Sequence, residues 1–390
     1  MSPNLYIRVA LAVVLTSLIS LSLVFILVNQ GVSADNQNEN EHISSPNTTE
    51  PEVTENVEEN DIASVSSSSF DTNTDMQVFA SIPYWDQPRA IQVFKDNVEV
   101  FDIVSVFWYQ LTEEGMITKY RYAKEDPSFI EFAHQHGVKV LALIANLPED
   151  GTWDPMRVDE VISDEEHRSQ HIEDIVALVE EKNFDGVNID YEFLRSRQEA
   201  DFNAFIEDLA DALHAKNKIL AVAIHAQLPE GPTRGQDMVT LQAADILSIM
   251  TYDEHWDTSD PGPPASAQWV RDVLDYAVSL GVDPKKIFMG IPLYGYDWPR
   301  EGADWGQAKG IEYDEIVRIA NSYDVDITFD PIAKTSYFQY EKNGTEHYVW
   351  FDNVSSVEEK LKIAKEFNVG GVFFWRQGRE DARIYDLLKE

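Results

Sequence analysis

"FDGVNIDYEF", residues 184–193, is the stretch on which the reading of this chain turns. Asn188, Asp190 and Glu192 alternate with apolar residues. Successive side chains of a strand point to opposite faces, so the amide and the two carboxyls share one face, spaced roughly 6.6 Å apart. An unpaired charge buried among apolar groups is costly. The row is therefore either satisfied by a structural network or turned toward a site.

Seven further apolar runs share the texture of this one. They are "VFASIPYW" (78–85), "IVSVFWYQL" (103–111), "VKVLALIAN" (138–146), "ILAVAIHAQ" (219–227), "ILSIMTYD" (246–253), "KIFMGIPLYGY" (286–296) and "VGGVFFWRQ" (369–377). Several are nearly continuous hydrophobics, as in strands covered on both faces of a parallel sheet. Helical patterns lie between them. Over 163–183 the stretch is amphipathic, and in 199–217 Phe202, Phe205, Ile206, Leu209 and Leu213 recur at three- and four-residue spacing. Eight strand–helix units predict an α/β fold, a (β/α)8 barrel over 76–390. The seventh and eighth runs are unusually far apart. Helix-like 313–322, "TSYFQY" and "EHYVWF" between them predict a small α+β insertion.

The bulk composition narrows the chemistry. The chain has 390 residues, 44% of them hydrophobic, enough for one large domain with appendages. It has no cysteine, which excludes disulfides, thiol nucleophiles and cysteine-built zinc sites. With 69 acidic against 30 basic residues the net charge is −39, a surface that repels nucleic acid. No glycine-rich phosphate loop follows a strand. His167 and His171 are four apart on what reads as an acidic surface helix, but no third ligand accompanies them. No metal and no cofactor are expected.

Residues 9–28, "VALAVVLTSLISLSLVFILV", carry no charge. Twenty residues of helix span about 30 Å, the hydrocarbon thickness of a bilayer. Arg8 precedes the run and acidic residues follow it, which places the remainder outside the membrane. Residues 31–34, "GVSA", resemble a signal-peptidase site with cleavage after Ala34, but the run is long for a signal peptide. Residues 1–34 are thus expected to form a membrane anchor or, if cleaved, a signal peptide, with an extracytoplasmic location in either case. Residues 35–75 hold 11 acidic residues and no Lys or Arg, the composition of a disordered linker.

Barrels of this kind place their active sites at the C-terminal ends of the strands. There, "DGVNIDYE" (185–192) resembles the DGxDxDxE signature of glycoside hydrolase family 18, the chitinase family. "IMTYD" (249–253) and "FFWRQG" (373–378) resemble that family's sixth- and eighth-strand segments. The wording is nearest the bacterial branch of spore-cortex and cell-wall N-acetylglucosaminidases. The resemblance implies a retaining glycosidase acting on N-acetylglucosamine polysaccharides, peptidoglycan or chitin, with the substrate's own acetamido group as nucleophile. Glu192 matches the general acid, Asp190 the carboxylate that orients the acetamido group, and Tyr252 the hydroxyl that holds it. Asp253 matches a sugar-binding carboxylate, Met250 a residue packed below it and Trp375 the aromatic floor. Asn188 stands where the family carries Asp, which leaves the pH optimum open. Tyr84, next to the end of the first run, is expected to touch substrate. Asp185 has the wrong parity for the inward row and is assigned, with Gly186, a structural role.

Trp85, Trp108, Tyr294, Tyr296 and Trp298 lie at or near strand ends and are candidates for sugar stacking. His225 reads as a hydrogen-bonded wall residue of the cleft. A monomer is expected. The alternative function is a catalytically inactive, chitinase-like glycan-binding protein. Such proteins usually lose the glutamate that closes the motif, and Glu192 is present.

Overall fold

The computed structural model describes residues 76–389. The apolar run 9–28, the cleavage site after Ala34 and the linker 35–75 lie outside the described residues. Among the described residues no helix is long and apolar enough to cross a membrane.

Eight parallel strands close into a barrel: β1 (Gln77–Pro83), β2 (Ile103–Leu111), β3 (Lys139–Ala145), β4 (Gly186–Asp190), β5 (Ile219–His225), β6 (Ile246–Met250), β7 (Ile287–Pro292) and β8 (Gly371–Trp375). Each pairs with its sequence neighbour, and β1 closes the ring between β2 and β8. All nine residues of β2 and all five of β4 and β6 are buried, so both faces of these strands are covered. A short strand, Ile117–Lys119, pairs antiparallel with the end of β2.

Helices cover the outside. Glu199–His214 buries Phe202, Phe205, Ile206, Leu209 and Leu213, the stripe expected from their spacing. Glu165–Glu181 starts at Asp164, whose carboxylate accepts from the amides of Glu166 and His167, both at 3.0 Å. Two other helices start at an Asp–Pro pair, Asp126–Pro127 and Asp154–Pro155. The Asp caps free amides while Pro fixes φ where no amide hydrogen is needed.

The insertion between β7 and β8 is larger than the sequence suggested. "KIFMGIPLYGY" does not run through as one strand. It breaks after Pro292, and Tyr294–Glu301 becomes the central strand of an antiparallel sheet. On one side it pairs with Thr345–Phe351, followed outward by Thr335–Lys342 and Thr328–Asp330. On the other it pairs with Asp304–Trp305 and Lys309–Glu312. Helix Tyr313–Tyr323 packs Ile316 and Ala320 into a separate small core with Ile311, Phe338, Val349 and Phe351.

The start of β4 is pinned from outside the barrel. Asp185 Oδ2 accepts from the Val140 amide at 2.7 Å and lies 2.7 Å from His134 Nε2, the structural position its parity implied. Gly186 meets β5 closely: a Cβ there would stand 2.0 Å from the carbonyl oxygen of Ile219. Gly186→Ala is therefore expected to destabilise the fold by about 1–3 kcal/mol or more, the range for overpacking a core. Denaturant unfolding monitored by circular dichroism checks this, and an unchanged midpoint would contradict it.

Candidate active site

The C-terminal mouth of the barrel opens into a cleft of about 840 Å³. Asn188 and Asp190 face it from β4. The strand ends at Asp190, so Glu192 stands just beyond it rather than on it, yet it keeps the same parity and also lines the cleft. Asn146, at the end of β3, makes that placement firm. Its Oδ1 accepts from the Glu192 amide at 2.8 Å and its Nδ2 donates to the Glu192 carbonyl at 3.0 Å. Tyr191, of opposite parity, points outward and its hydroxyl meets His171 Nε2 at 2.8 Å. His171 is thus buried behind the carboxyl row, not on the surface as the acidic helix suggested. Burial pushes it down to about 3, so it is neutral.

Both carboxyls are buried and close. Burial raises Asp190, which is pushed up to about 7. Burial also raises Glu192 well above the ordinary carboxyl range, with the charges of Asp190 and Asp253 adding to it and Arg234 opposing. Asp190 Oδ1 and both amide atoms of Asn188 are buried without a protein partner. Buried polar atoms are nearly always hydrogen-bonded, so this row is not a satisfied structural network. His225 Nε2 lies 3.2 Å from Glu192 Oε2 and 3.4 Å from the Phe193 amide. Burial and Arg234 push His225 down to about 3, so its ring is neutral.

The remaining walls come from β6, β8 and the insertion. Met250 ends β6 and lines the cleft, followed by the buried Tyr252 and by Asp253. Tyr252 is raised well above its usual value, by burial first and then by Asp190, Glu192 and Asp253. Its hydroxyl stays protonated, and among the described residues it has no protein partner. Asp253 has φ +60° and accepts from the hydroxyls of Tyr294 at 2.6 Å and Tyr296 at 2.9 Å. The insertion thereby fixes the direction of a barrel residue. Trp375, ending β8, is half-buried in the cleft, with Phe107 and Trp85 at ring distances of 6.0 and 6.2 Å.

Several expectations change. Tyr84 does not line the cleft: its ring stacks on Tyr120 at 4.2 Å, and its neighbour Trp85 lines the cleft instead. Trp108 and Trp298 are fully buried core. Tyr296 lines the main cleft, and Tyr294 a smaller adjoining one of about 270 Å³. Trp153, Trp256 and Trp269 also line the cleft, from loops or helix starts that strand periodicity does not reach. Asn146 ends an apolar strand run, a signal that could have found it. Gln236 is buried, accepts from the His225 amide at 2.9 Å and donates to the carbonyls of Tyr191 and Ala223. No local pattern marks it.

Comparisons with known proteins agree with this geometry. Residues 68–380 match the family model described as "Glycosyl hydrolases family 18". The chain is 26% identical over 318 residues to the cortical fragment-lytic enzyme of Bacillus anthracis, covering 78% of this chain and 73% of that one. It is 26% identical over 338 residues to the di-N-acetylchitobiase of Rattus norvegicus, covering 77% and 87%. Among solved structures, a chitinase from Chromobacterium violaceum superposes with a TM-score of 0.73 at 29% identity, covering 80% of this chain and 98% of that one. With the family match extending over most of the chain and the carboxyl row at the barrel mouth, this protein belongs to the glycosyl hydrolases of family 18.

Proposed function

We propose that the chain hydrolyses β-1,4 bonds next to N-acetylglucosamine, in peptidoglycan or chitin, with retention of configuration and with the substrate's acetamido group as nucleophile. The observation that carries this reading is Glu192, a carboxyl held protonated in a cleft by burial and by Asp190 beneath it. Glu192 gives its proton to the bridging oxygen as the bond from that oxygen to the anomeric carbon breaks. The acetamido carbonyl oxygen attacks the same carbon and closes an oxazolinium ring. Asp190 takes the acetamido N–H and stabilises the positive charge, while Tyr252 donates to the group and orients it. Water then opens the ring and returns a proton to Glu192.

The names of the relatives support this substrate class: one acts on cortical fragments, another on di-N-acetylchitobiose, and a structural neighbour is a chitinase. The buried, unpartnered atoms of Asn188 and Asp190 supply polar partners for a bound sugar. Trp375 offers a ring face for it to stack on. Export through residues 9–28 would place the enzyme with an extracellular polysaccharide.

Glu192→Gln is expected to lower kcat on a chromogenic chitooligosaccharide by about 10²- to 10⁴-fold, the range for one positioned proton donor. Wild type no faster than this variant would favour the inactive glycan-binding alternative. Tyr252→Phe should lower kcat by roughly 10- to 1,000-fold with a smaller change in KM, because the sugar still stacks on Trp375. A folded Tyr252→Phe enzyme with unchanged kcat would remove the hydroxyl from the mechanism.

The two carboxyls titrate as a pair. The active form carries one proton, on Glu192. The acid limb of kcat/KM, where Asp190 gains a proton, should therefore lie above the ordinary carboxyl range of about 4. The alkaline limb follows loss of the Glu192 proton. Asp190→Asn removes the like charge that raises Glu192, so its residual activity should lack the acid limb and lose its alkaline limb at lower pH than wild type. A pH–rate profile of the variant with an unmoved alkaline limb would show that Asp190 does not set the Glu192 proton affinity.

A further inference from the structure

Five carboxyl groups line the main cleft: Asp190, Glu192, Asp253, Glu254 and Asp257. Among the described residues lining it, one Lys or Arg faces them, Arg234. Its guanidinium stacks at 5.1 Å over the ring of Phe193, the exposed residue directly after Glu192. Phe193 in turn sets its ring edge-on to His225 at 5.0 Å. Among the described residues Arg234 makes no ion pair and no hydrogen bond, so its five N–H donors remain available.

The placement is built. Arg234 and Phe193 are both held in the left-handed backbone region, at φ +51° and +55°, which non-glycine residues rarely occupy. The turn carrying Arg234 is closed by the Gln236 amide donating to the Thr233 carbonyl at 3.0 Å. Gly235, at φ +72°, lets that turn approach Leu194, where a Cβ would meet the Leu194 Cβ at 2.7 Å. Gln236 then ties the turn to the ends of β4 and β5 through Tyr191, Ala223 and His225. Arg234 is thus fastened to the same elements that hold Glu192 and His225.

A structural role does not account for it. Stacking on one exposed ring contributes about 0.5–1 kcal/mol and does not require a cleft. The positive charge also opposes the protonated state of Glu192, the state the chemistry needs. An anionic group bound at Arg234 would cancel that opposition. We propose that Arg234 binds a carboxylate on the sugar next to the scissile bond, so that the preferred substrate is an acidic N-acetylglucosamine glycan rather than neutral chitin. This rests on the glycosidase reading of the same cleft. Peptidoglycan freed of its stem peptides, whose alternate sugars then carry a free lactyl ether carboxylate, has that chemistry. Its sugar would lie against Phe193 and its carboxylate on the guanidinium fork.

The test compares three tetrasaccharides: a peptide-free wall-type repeat with its free lactyl carboxylate, the same compound with that carboxyl converted to a methylamide, and chitotetraose. Wild type should show kcat/KM about tenfold higher on the acid than on the methylamide, as for one charge-assisted contact. Added salt should shrink the ratio. In Arg234→Gln the ratio should fall to within about twofold of unity, and Arg234→Lys should keep part of it, having the charge without the fork. An acid-to-methylamide ratio that is unity in wild type, or unchanged in Arg234→Gln, overturns the proposal. Wild-type cleavage of all three at equal kcat/KM overturns it while leaving the glycosidase reading standing, whereas cleavage of none overturns both.

Discussion

Two carboxyl groups stacked in the mouth of a dry barrel cannot both be ionised at ordinary cost, and the site is arranged around that constraint. The end of β4 and the residues just beyond it deliver Asp190 and Glu192 to one face, where both carboxyls are largely buried. Burial, and after it like charge, act in the same direction and keep a proton on the upper group. The surroundings serve this state. A neutral His225 sits against Glu192, a protonated Tyr252 crosses from β6, and Asn146 grips the backbone so that the acid cannot swing away.

The barrel was legible because its signal is repeated. Eight apolar runs alternating with amphipathic helices leave little choice of architecture, and the strands fall within a few residues of the runs. The break after Pro292 was not legible. "KIFMGIPLYGY" is apolar throughout, and local sequence does not say that Leu293 leaves the barrel while Tyr294 joins another sheet. Only the antiparallel partners Thr345–Phe351 and Lys309–Glu312, well downstream of it, decide that.

The site divides along the same line. Asn188, Asp190 and Glu192 announce themselves by period, since a polar row at every second position of a buried strand has few explanations. Asn146, Gln236 and Arg234 reach the site by hydrogen bonds and stacking from other elements; Asn146 is marked by closing an apolar run, and nothing in the immediate neighbours of Gln236 and Arg234 marks them. Tyr84 and Trp85 show what parity alone decides: Trp85 shares the parity of Pro83, which pairs with the cleft-lining Phe107, and it lines the cleft, whereas Tyr84 has the opposite parity and stacks on Tyr120.

The insertion leaves the barrel at Leu293 and returns at Asp352, and the amide of Asp352 donates to the carbonyl of Tyr294 at 3.2 Å. Its two ends therefore stand side by side, like the stem of a detachable cassette. The cassette has its own small core, and it reaches the cleft through Tyr294 and Tyr296 on Asp253. Mutation can thus lengthen, shorten or reshape one wall of the cleft while the eight-stranded frame and its proton donor stay as they are. That wall and the proton donor occupy separately evolvable parts of one chain.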